Sequence, residues 1–76
     1  MKSMLVKRSL SLAGHRTSLA LEAEFWDVLD QAALDERLSL AALIGRIDED
    51  RVEAGDELNL ASACRVWALK RVQSGG

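Results

Sequence analysis

The alternating pattern of residues 15–22, HRTSLALE, most constrains how this chain can fold. Thr17, Leu19 and Leu21 would lie on one face of an extended strand, because successive side chains of a strand point to opposite faces. The opposite face would carry a guanidinium, a hydroxyl and a methyl group, from Arg16, Ser18 and Ala20. A strand needs a hydrogen-bonded neighbour. We therefore expect this strand to pair with the same strand of a second copy around a two-fold axis, as an antiparallel ribbon.

The segment that precedes this strand allows two interpretations. Residues 6–12, VKRSLSL, alternate as well, and Ala13-Gly14 offers a turn, so that 6–12 and 16–21 would form a hairpin. Alternatively, the segment is an arm that becomes ordered only on a partner. Residues 1–14 are therefore a basic N-terminal arm or an extra strand, and we identify no internal repeat in the chain.

The residues that follow the strand have a helical period. Apolar side chains recur at helical spacing from Phe25 onward, which predicts a first helix over about 23–36. Ser39 is a good N-cap for a second helix. The apolar stripe of that second helix includes Leu43, Ile44 and Ile47.

The C-terminal third of the chain predicts a loop and one more helix. Residues 50–58 are acidic and contain a glycine, which is typical of a loop. Asn59 is a candidate N-cap, and a C-terminal helix is predicted over 59–73. We therefore assign residues 15–49 to the core of the domain and regard the C-terminal helix as an addition to that core.

A chain of 76 residues forms one domain and buries only a small core on its own. Hydrophobic residues make up 49% of it and a single cysteine is present, so it is neither disordered by composition nor stabilised by disulfides. Association of two copies would enlarge the core. We expect the core of this homodimer to contain eight residues: Thr17, Leu19, Leu21, Phe25, Leu29, Leu43, Ile44 and Ile47.

The sequence gives no indication of a membrane protein. It contains no apolar run of the roughly 18 residues that a spanning helix needs. Its first residues lack the apolar region of an export signal. Together with the single cysteine, these features predict a cytoplasmic protein with no membrane partner.

Positive charge is concentrated at the N-terminal end of the chain. Residues 1–21 contain four of the ten basic residues and no acidic residue, whereas the remainder contains all 12 acidic residues. The net charge of −2 does not exclude a nucleic-acid partner, because the local potential governs contact with phosphates. The acidic remainder would instead suit a protein partner.

The residues that carry enzyme chemistry are scarce. A chain with one cysteine and one histidine cannot supply the several ligands of a zinc site. Cys64 and His15 are the one conceivable nucleophilic pair, but Cys64 lies among alanines, as buried and inert cysteines often do. No glycine-rich phosphate loop is present. We therefore predict a protein that is not an enzyme and has no catalytic residues, metal or cofactor.

The polar face of the predicted ribbon suits double-stranded DNA. A two-stranded ribbon is one of the elements that enter the major groove of B-DNA. Arg16 could bond guanine through two hydrogen bonds, Ser18 could donate or accept one, and the Ala20 methyl group could touch thymine. These three residues are the predicted base contacts.

The order of strand, helix, short connection and serine-capped helix resembles the ribbon-helix-helix (Arc-like) DNA-binding family from about Arg16 to Ile47. The strings KRSLSLAGHRTSLALEAEFWDVL, LSLAALIGRID and NLASACRVWAL also resemble a group of small bacterial members with an added C-terminal helix. The resemblance implies a mainly α fold with a short N-terminal strand. It further implies an intertwined homodimer with an intermolecular antiparallel two-stranded ribbon.

The resemblance also assigns roles to residues outside the strand. It implies that the start of the second helix, at Ser39 and Leu40, holds a DNA phosphate, which is reasonable because helix N-termini attract anions. We expect Lys7, Arg8 and His15 to contact phosphates as well. Members of the family usually carry glycine in the turn between the helices, where this chain has Arg37. If that position needs a positive φ, arginine costs about 1–2 kcal/mol there.

Two functions follow from these patterns. The first is a homodimeric transcriptional regulator, a repressor, that inserts its ribbon into the major groove of a specific DNA site. The alternative is a protein-interaction module, or an antitoxin-like protein, that binds a protein partner through its acidic helical body. Salt dependence separates them, because DNA binding weakens steeply as salt rises.

Overall fold

The structure, a computed structural model, describes residues 4–75. Residues 1–3 and residue 76 lie outside the described residues, and with them the first part of the predicted N-terminal arm. The elements in chain order are β1 (Leu5–Leu12), β2 (His15–Glu22), α1 (Ala23–Asp35), α2 (Leu40–Glu53) and α3 (Leu60–Gln73). The fold is thus a short antiparallel two-stranded ribbon followed by three helices, the last of which is the expected added C-terminal helix.

A tight turn joins the two strands into a hairpin. Leu12 lies opposite His15, and the two residues between them, Ala13 and Gly14, have φ angles of 50° and 81°. Positive φ at both central residues defines a type I′ turn, whose twist matches that of the flanking strands. Of the two interpretations of residues 6–12, the structure therefore shows the extra strand.

The hairpin changes the expected partner of β2. The sequence predicted that β2 pairs with β2 of a second copy, whereas the structure pairs it with β1 of the same chain over eight residue pairs. The physical reason is the short turn, which closes the ladder locally at a small entropic cost. The two-stranded ribbon is consequently intramolecular in this structure.

The hydrophobic core lies between the inner face of the ribbon and the three helices. The ribbon contributes Leu10, Leu12, Leu19 and Leu21 to it. Trp26 and Leu29 of α1, Leu43 and Ile44 of α2, and Cys64 of α3 are almost fully buried. Of the eight residues predicted for a dimer core, Thr17 and Phe25 are half-buried and the other six are buried, all within one chain.

The first two helices both end on residues with positive φ. At the end of α1, Arg37 has φ 57°, and the N–H groups of Arg37 and Leu38 donate to the carbonyls of Leu34 and Ala33. At the end of α2, Gly55 has φ 66° within the same hydrogen-bond pattern. Both ends are therefore Schellman motifs, in which glycine is the usual residue.

The second helix is longer than predicted. It continues to Glu53, four residues into the stretch 50–58 that the sequence indicated as a loop. Arg51 pairs with Asp48 one turn earlier at 2.7 Å, and this contact supports the last part of the helix. Asn59 accepts a hydrogen bond from Ser62 N–H, so it caps α3 as expected. No helix within residues 4–75 is long and apolar enough to span a bilayer.

Candidate nucleic-acid interface

The outer face of the ribbon combines residues from both strands. The register places Lys7 opposite Ala20, Ser9 opposite Ser18, and Ser11 opposite Arg16. All six side chains point away from the helices, since they alternate with the buried leucines of the same strands. Ala20 is half-buried and the other five are exposed. This outer face, defined by these six residues, contains two cations and three hydroxyls but no acidic side chain.

Arg16 has the longest side chain among the three residues that the sequence assigned to base contacts. Its Nη1 atom lies 3.4 Å from the hydroxyl oxygen of Ser11 on the neighbouring strand. This is a long hydrogen bond, and it leaves most of the five guanidinium N–H groups for another acceptor. The side chain is therefore loosely oriented across the ribbon and accessible to a ligand.

The sequence prediction missed Ser9 and Ser11 as members of the same face. It treated residues 6–12 only as an arm or a strand that could follow the DNA backbone. The alternation of VKRSLSL carried the missing signal, because Leu10 and Leu12 on the inner face place Ser9 and Ser11 on the outer one. Only the pairing register shows which residues of β2 they meet.

Glu22 marks the end of the outer face and is neutralised by α3. Two guanidinium nitrogens of Arg65 donate to the two carboxylate oxygens of Glu22, at 2.8 and 3.3 Å. These hydrogen bonds from Arg65 are the main reason why the pKa of Glu22 is lowered below its usual value. The negative charge next to the ribbon is thereby paired, so it opposes a nearby phosphate less than a free carboxylate would.

The structure separates two of the predicted phosphate-contacting residues, Lys7 and Arg8. Lys7 lies on the outer face, whereas Arg8 is one residue on and points toward α1. The guanidinium of Arg8 donates to both carboxylate oxygens of Asp30, at 2.9 and 3.2 Å, and lies 4.5 Å from the ring centre of Trp26. Because these contacts hold Arg8 against the helix, the structure gives it a role in attaching the ribbon to the body.

Trp26 fastens β1 to α1 at a second point. Its indole N–H donates to the backbone carbonyl of Val6 at 2.7 Å, and its side chain is almost fully buried. Together with the Arg8–Asp30 pair, this contact fixes the tilt of the ribbon on the helices.

Of the other predicted phosphate contacts, His15 and Ser39 are exposed and Leu40 is half-buried. His15 is exposed, directly after the hairpin turn. The Ser39 hydroxyl accepts a hydrogen bond from Ala42 N–H at 3.0 Å, so it is used as the N-cap of α2. The first-turn N–H groups of α2, beginning at Leu40, are the groups that an anion would bind there.

The conceivable nucleophilic pair of the sequence is not brought together. Cys64 is fully buried on α3, and burial is the main reason why the pKa of its thiol is raised to about 11. His15, in contrast, is exposed at the hairpin turn. Within the described part of the chain, no group of three or more histidine, cysteine or acidic side chains is arranged to hold a metal ion.

Comparison with known proteins identifies a matching family and a similar solved structure. A family model described as a ribbon-helix-helix domain matches residues 5–72. A solved structure of an uncharacterized protein from Bordetella pertussis Tohama I is similar, with a TM-score of 0.78 and 36% sequence identity. The alignment covers 97% of this chain, which spans 62% of the length of that protein. No curated protein matches the chain.

Proposed function

The chain belongs to the ribbon-helix-helix family, and on that premise we propose that it is a transcriptional repressor that binds a specific site in double-stranded DNA. Members of the family are generally DNA-binding regulators of transcription and are typically not enzymes. The observation that carries the proposal is the outer face of the ribbon, which is exposed, free of acidic side chains and furnished with Arg16 and Lys7.

The ribbon has the dimensions that the proposal requires. Two paired strands lie about 4.8 Å apart, so a hairpin with its side chains fits a major groove about 12 Å wide. Arg16 bonds guanine O6 and N7, Ser18 donates or accepts one hydrogen bond, and Ala20 contacts a thymine methyl group in this arrangement. The short turn between the strands leaves the tip of the hairpin free to follow the groove.

Contacts to the DNA backbone then fix the position of the ribbon. We assign them to the first-turn N–H groups of α2 at Leu40, with Ser39 as the cap, and to His15 at the hairpin turn. Such contacts orient a protein on the duplex without reading its sequence. Arg8 is paired with Asp30, so it contributes little net positive charge beside the groove.

We propose that the repressor acts as a homodimer, since the family generally binds DNA as dimers. Four strands side by side would measure about 14 Å between the outer backbones, which is too wide for the groove. The contact between the copies therefore lies away from the ribbon. Exposed apolar side chains on α3, at Val66, Leu69 and Val72, are available for it.

Substitution of Arg16 by alanine tests the base-reading assignment. The loss of a bidentate contact removes about 1–3 kcal/mol of discrimination, so affinity for the selected site should fall about tenfold to a hundredfold. The circular dichroism spectrum should stay unchanged, since Arg16 is exposed. Fluorescence anisotropy with labelled duplex measures the affinity. Arg46→Ala, at an exposed arginine on α2, is the control for the lost charge. Equal affinity of Arg16→Ala and the parent would contradict the assignment.

The alternative function is a protein-interaction module or antitoxin-like protein that acts through the acidic body. One observation favours it, namely that five acidic side chains near the end of α2 are exposed: Glu49, Asp50, Glu53, Asp56 and Glu57. A salt titration distinguishes the two functions. The logarithm of the DNA affinity falls linearly with the logarithm of the salt concentration if phosphates are bound. Weak binding at every salt concentration would favour the protein-binding function.

A further inference from the structure

The pairing register reveals a repeat that is inconspicuous along the linear sequence. Lys7–Leu12 reads KRSLSL and Arg16–Leu21 reads RTSLAL, nine residues further on. Both segments have a cation first, Ser-Leu at the third and fourth positions, and leucine at the sixth. The sequence alone predicted no repeat, because the two segments are short, only three of their six positions are identical, and Lys7 and Arg16 share only their charge.

The hairpin places these two segments in symmetric positions. Ser9 lies opposite Ser18, and Lys7 and Arg16 lie two residues from that pair in opposite directions. A two-fold axis through the Ser9–Ser18 pair, perpendicular to the ribbon, therefore brings each residue of β1 onto the residue of β2 that is nine positions later. The ribbon has the symmetry that two copies of one strand would have, although it is built from a single chain.

The approximate symmetry holds on both faces of the ribbon. On the inner face Leu10 is equivalent to Leu19, and Leu12 to Leu21, and all four are buried. On the outer face the equivalent pairs are Lys7 with Arg16, Ser9 with Ser18, and Ser11 with Ala20. The outer face thus presents the same order twice, in opposite directions: a cation, a serine and a small residue.

Duplex DNA has matching symmetry, because its two strands are related by two-fold axes perpendicular to the helix axis. We infer that one chain reads a short, nearly palindromic block of base pairs centred beneath the Ser9–Ser18 pair. This inference rests on the proposed function. Lys7 and Arg16 each contact a guanine, one on either DNA strand. Lys7 is therefore a base-reading residue rather than the phosphate contact that the sequence suggested.

The strand geometry sets the spacing of these two contacts. Arg16 lies opposite Ser11, which is four residues from Lys7 along β1. At about 3.3 Å per residue the two cations are about 13 Å apart along the ribbon. Base pairs are 3.4 Å apart along the helix axis, and the groove is inclined to that axis, so this distance spans at most about four base-pair steps.

The symmetry is incomplete, and the differences predict which half of the block is read more stringently. Arg16 has a planar guanidinium that can bond guanine through two hydrogen bonds, whereas Lys7 offers a flexible point charge. Ser11 also supports Arg16 across the ribbon at 3.4 Å, whereas the equivalent neighbour of Lys7 is Ala20, which has no hydroxyl. The half of the block beneath Arg16 should accordingly be the more selective.

Selection of bound sequences from a random duplex pool tests the inference. The full chain and the variants Lys7→Met and Arg16→Met are each selected, with Lys70→Met on α3 as a control for the lost charge. Each of the first two variants should lose its preference at one base pair, about tenfold to a hundredfold. The two base pairs should be related by the centre of the block and at most about four steps apart. Lys70→Met should leave the motif unchanged.

A double variant makes the outer face symmetric and provides a gain-of-symmetry test. Lys7→Arg combined with Ser11→Ala gives both strands the order Arg, Ser, Ala on the outer face. Both sites are exposed, so the fold should be retained, which circular dichroism checks. The enriched block should become palindromic on the two sides of its centre.

The outcomes separate this inference from the proposed function. If Lys7→Met weakens binding equally for all sequences while Arg16→Met changes the motif, Lys7 contacts phosphate. DNA recognition would then stand, and the reading of both strands by one chain would be overturned. A block that stays asymmetric in the double variant overturns it as well. If the parent chain enriches no sequence, the proposed function itself fails.

Discussion

Arg37 adopts a backbone conformation that glycine normally supplies. Its φ of 57° lies in the left-handed region, at the end of α1, where a Schellman motif requires it. A residue with a β-carbon is disfavoured there by about 1–2 kcal/mol. The side chain is exposed, so its packing does not offset the cost. The chain therefore keeps strain at the connection between α1 and α2.

Substitution of Arg37 by glycine should relieve this strain. We expect the free energy of unfolding to rise by about 1 kcal/mol, a net gain that is reduced by the greater freedom of glycine in the unfolded chain. Urea denaturation measures the change. Arg37→Ala is the matched control, since it removes the guanidinium but keeps the β-carbon, and it should give no comparable gain. A destabilised Arg37→Gly variant would show that the guanidinium stabilises the fold.

Gly55 provides the reverse experiment at the end of α2. It occupies the same position of a Schellman motif with φ 66°, and a β-carbon built on it would meet no atom within 4 Å. Gly55→Ala should therefore lower the free energy of unfolding by about 1 kcal/mol, because the lower freedom of alanine in the unfolded chain partly offsets the backbone strain. A result near zero would show that the strain estimate is too high for both helix ends.

Among the elements, α3 is joined to the ribbon by the pair of Glu22 and Arg65. Glu22 is the last residue of β2, and the bidentate contact ties it to the middle of α3, 43 positions later. Buried side chains of α3, including Cys64 and Ala68, lie in the same core as the inner face of the ribbon. The added helix therefore supports the element that we propose to enter the DNA.

The lowered pKa of Glu22 predicts a pH dependence of stability. Because the carboxylate titrates at a lower pH in the folded chain than in the unfolded chain, its stabilising effect is present above the ordinary value of 4.5. This effect is lost as the pH falls through the lowered value. Glu22→Gln should be less stable than the parent at pH 7, and the difference should disappear in strong acid.

Urea denaturation at a series of pH values measures this difference. Glu53→Gln, at an exposed residue near the end of α2, is the matched control for the loss of one negative charge. If both variants show the same pH profile, the net charge rather than the contact with Arg65 is responsible. A Glu22→Gln variant as stable as the parent at pH 7 would contradict a stabilising role.

At the scale of the whole molecule, one chain closes its own core. Leu21, Leu29 and Ile44 have no exposed surface without any second copy. The sequence led us to expect that dimerisation enlarges an insufficient core, which would make folding depend on association. The added strand β1 supplies Leu10 and Leu12 in the place where the expected ribbon would have used a second chain.

We therefore expect the chain to fold independently of its concentration. The thermal unfolding midpoint should stay constant over the concentrations at which light scattering shows a monomer, because only association of the native chains makes the midpoint rise with concentration. Differential scanning calorimetry and light scattering measure unfolding and association separately. Leu29→Ala, which removes a buried side chain, should lower the midpoint equally at each concentration. An unfolded chain at concentrations where light scattering shows only monomers would show that folding requires the dimer.

The sequence predicted the elements well where a periodic pattern and a cap coincide. Ser39 and Asn59 placed the starts of α2 and α3 to within one residue, and the alternation of HRTSLALE assigned the two faces of β2 correctly. The end of α2 was wrong by four residues, because a run of charged residues has no periodic apolar signal to follow. The salt bridge of Asp48 and Arg51 that supports this end depends on a helix that is already formed.

By itself, the sequence determined which side chains share a face, because side-chain direction in a strand depends only on parity. Only the tertiary structure decided what each strand pairs with, since any strand edge can accept β1 or a second copy. The register of the hairpin places Ser9 and Ser11 beside Ser18 and Arg16. The packing of the helices on the ribbon pairs Arg8 with Asp30 and Glu22 with Arg65. These contacts join residues between 5 and 43 positions apart. Local sequence patterns do not specify contacts between residues so far apart along the chain, because such contacts depend on how the whole chain packs.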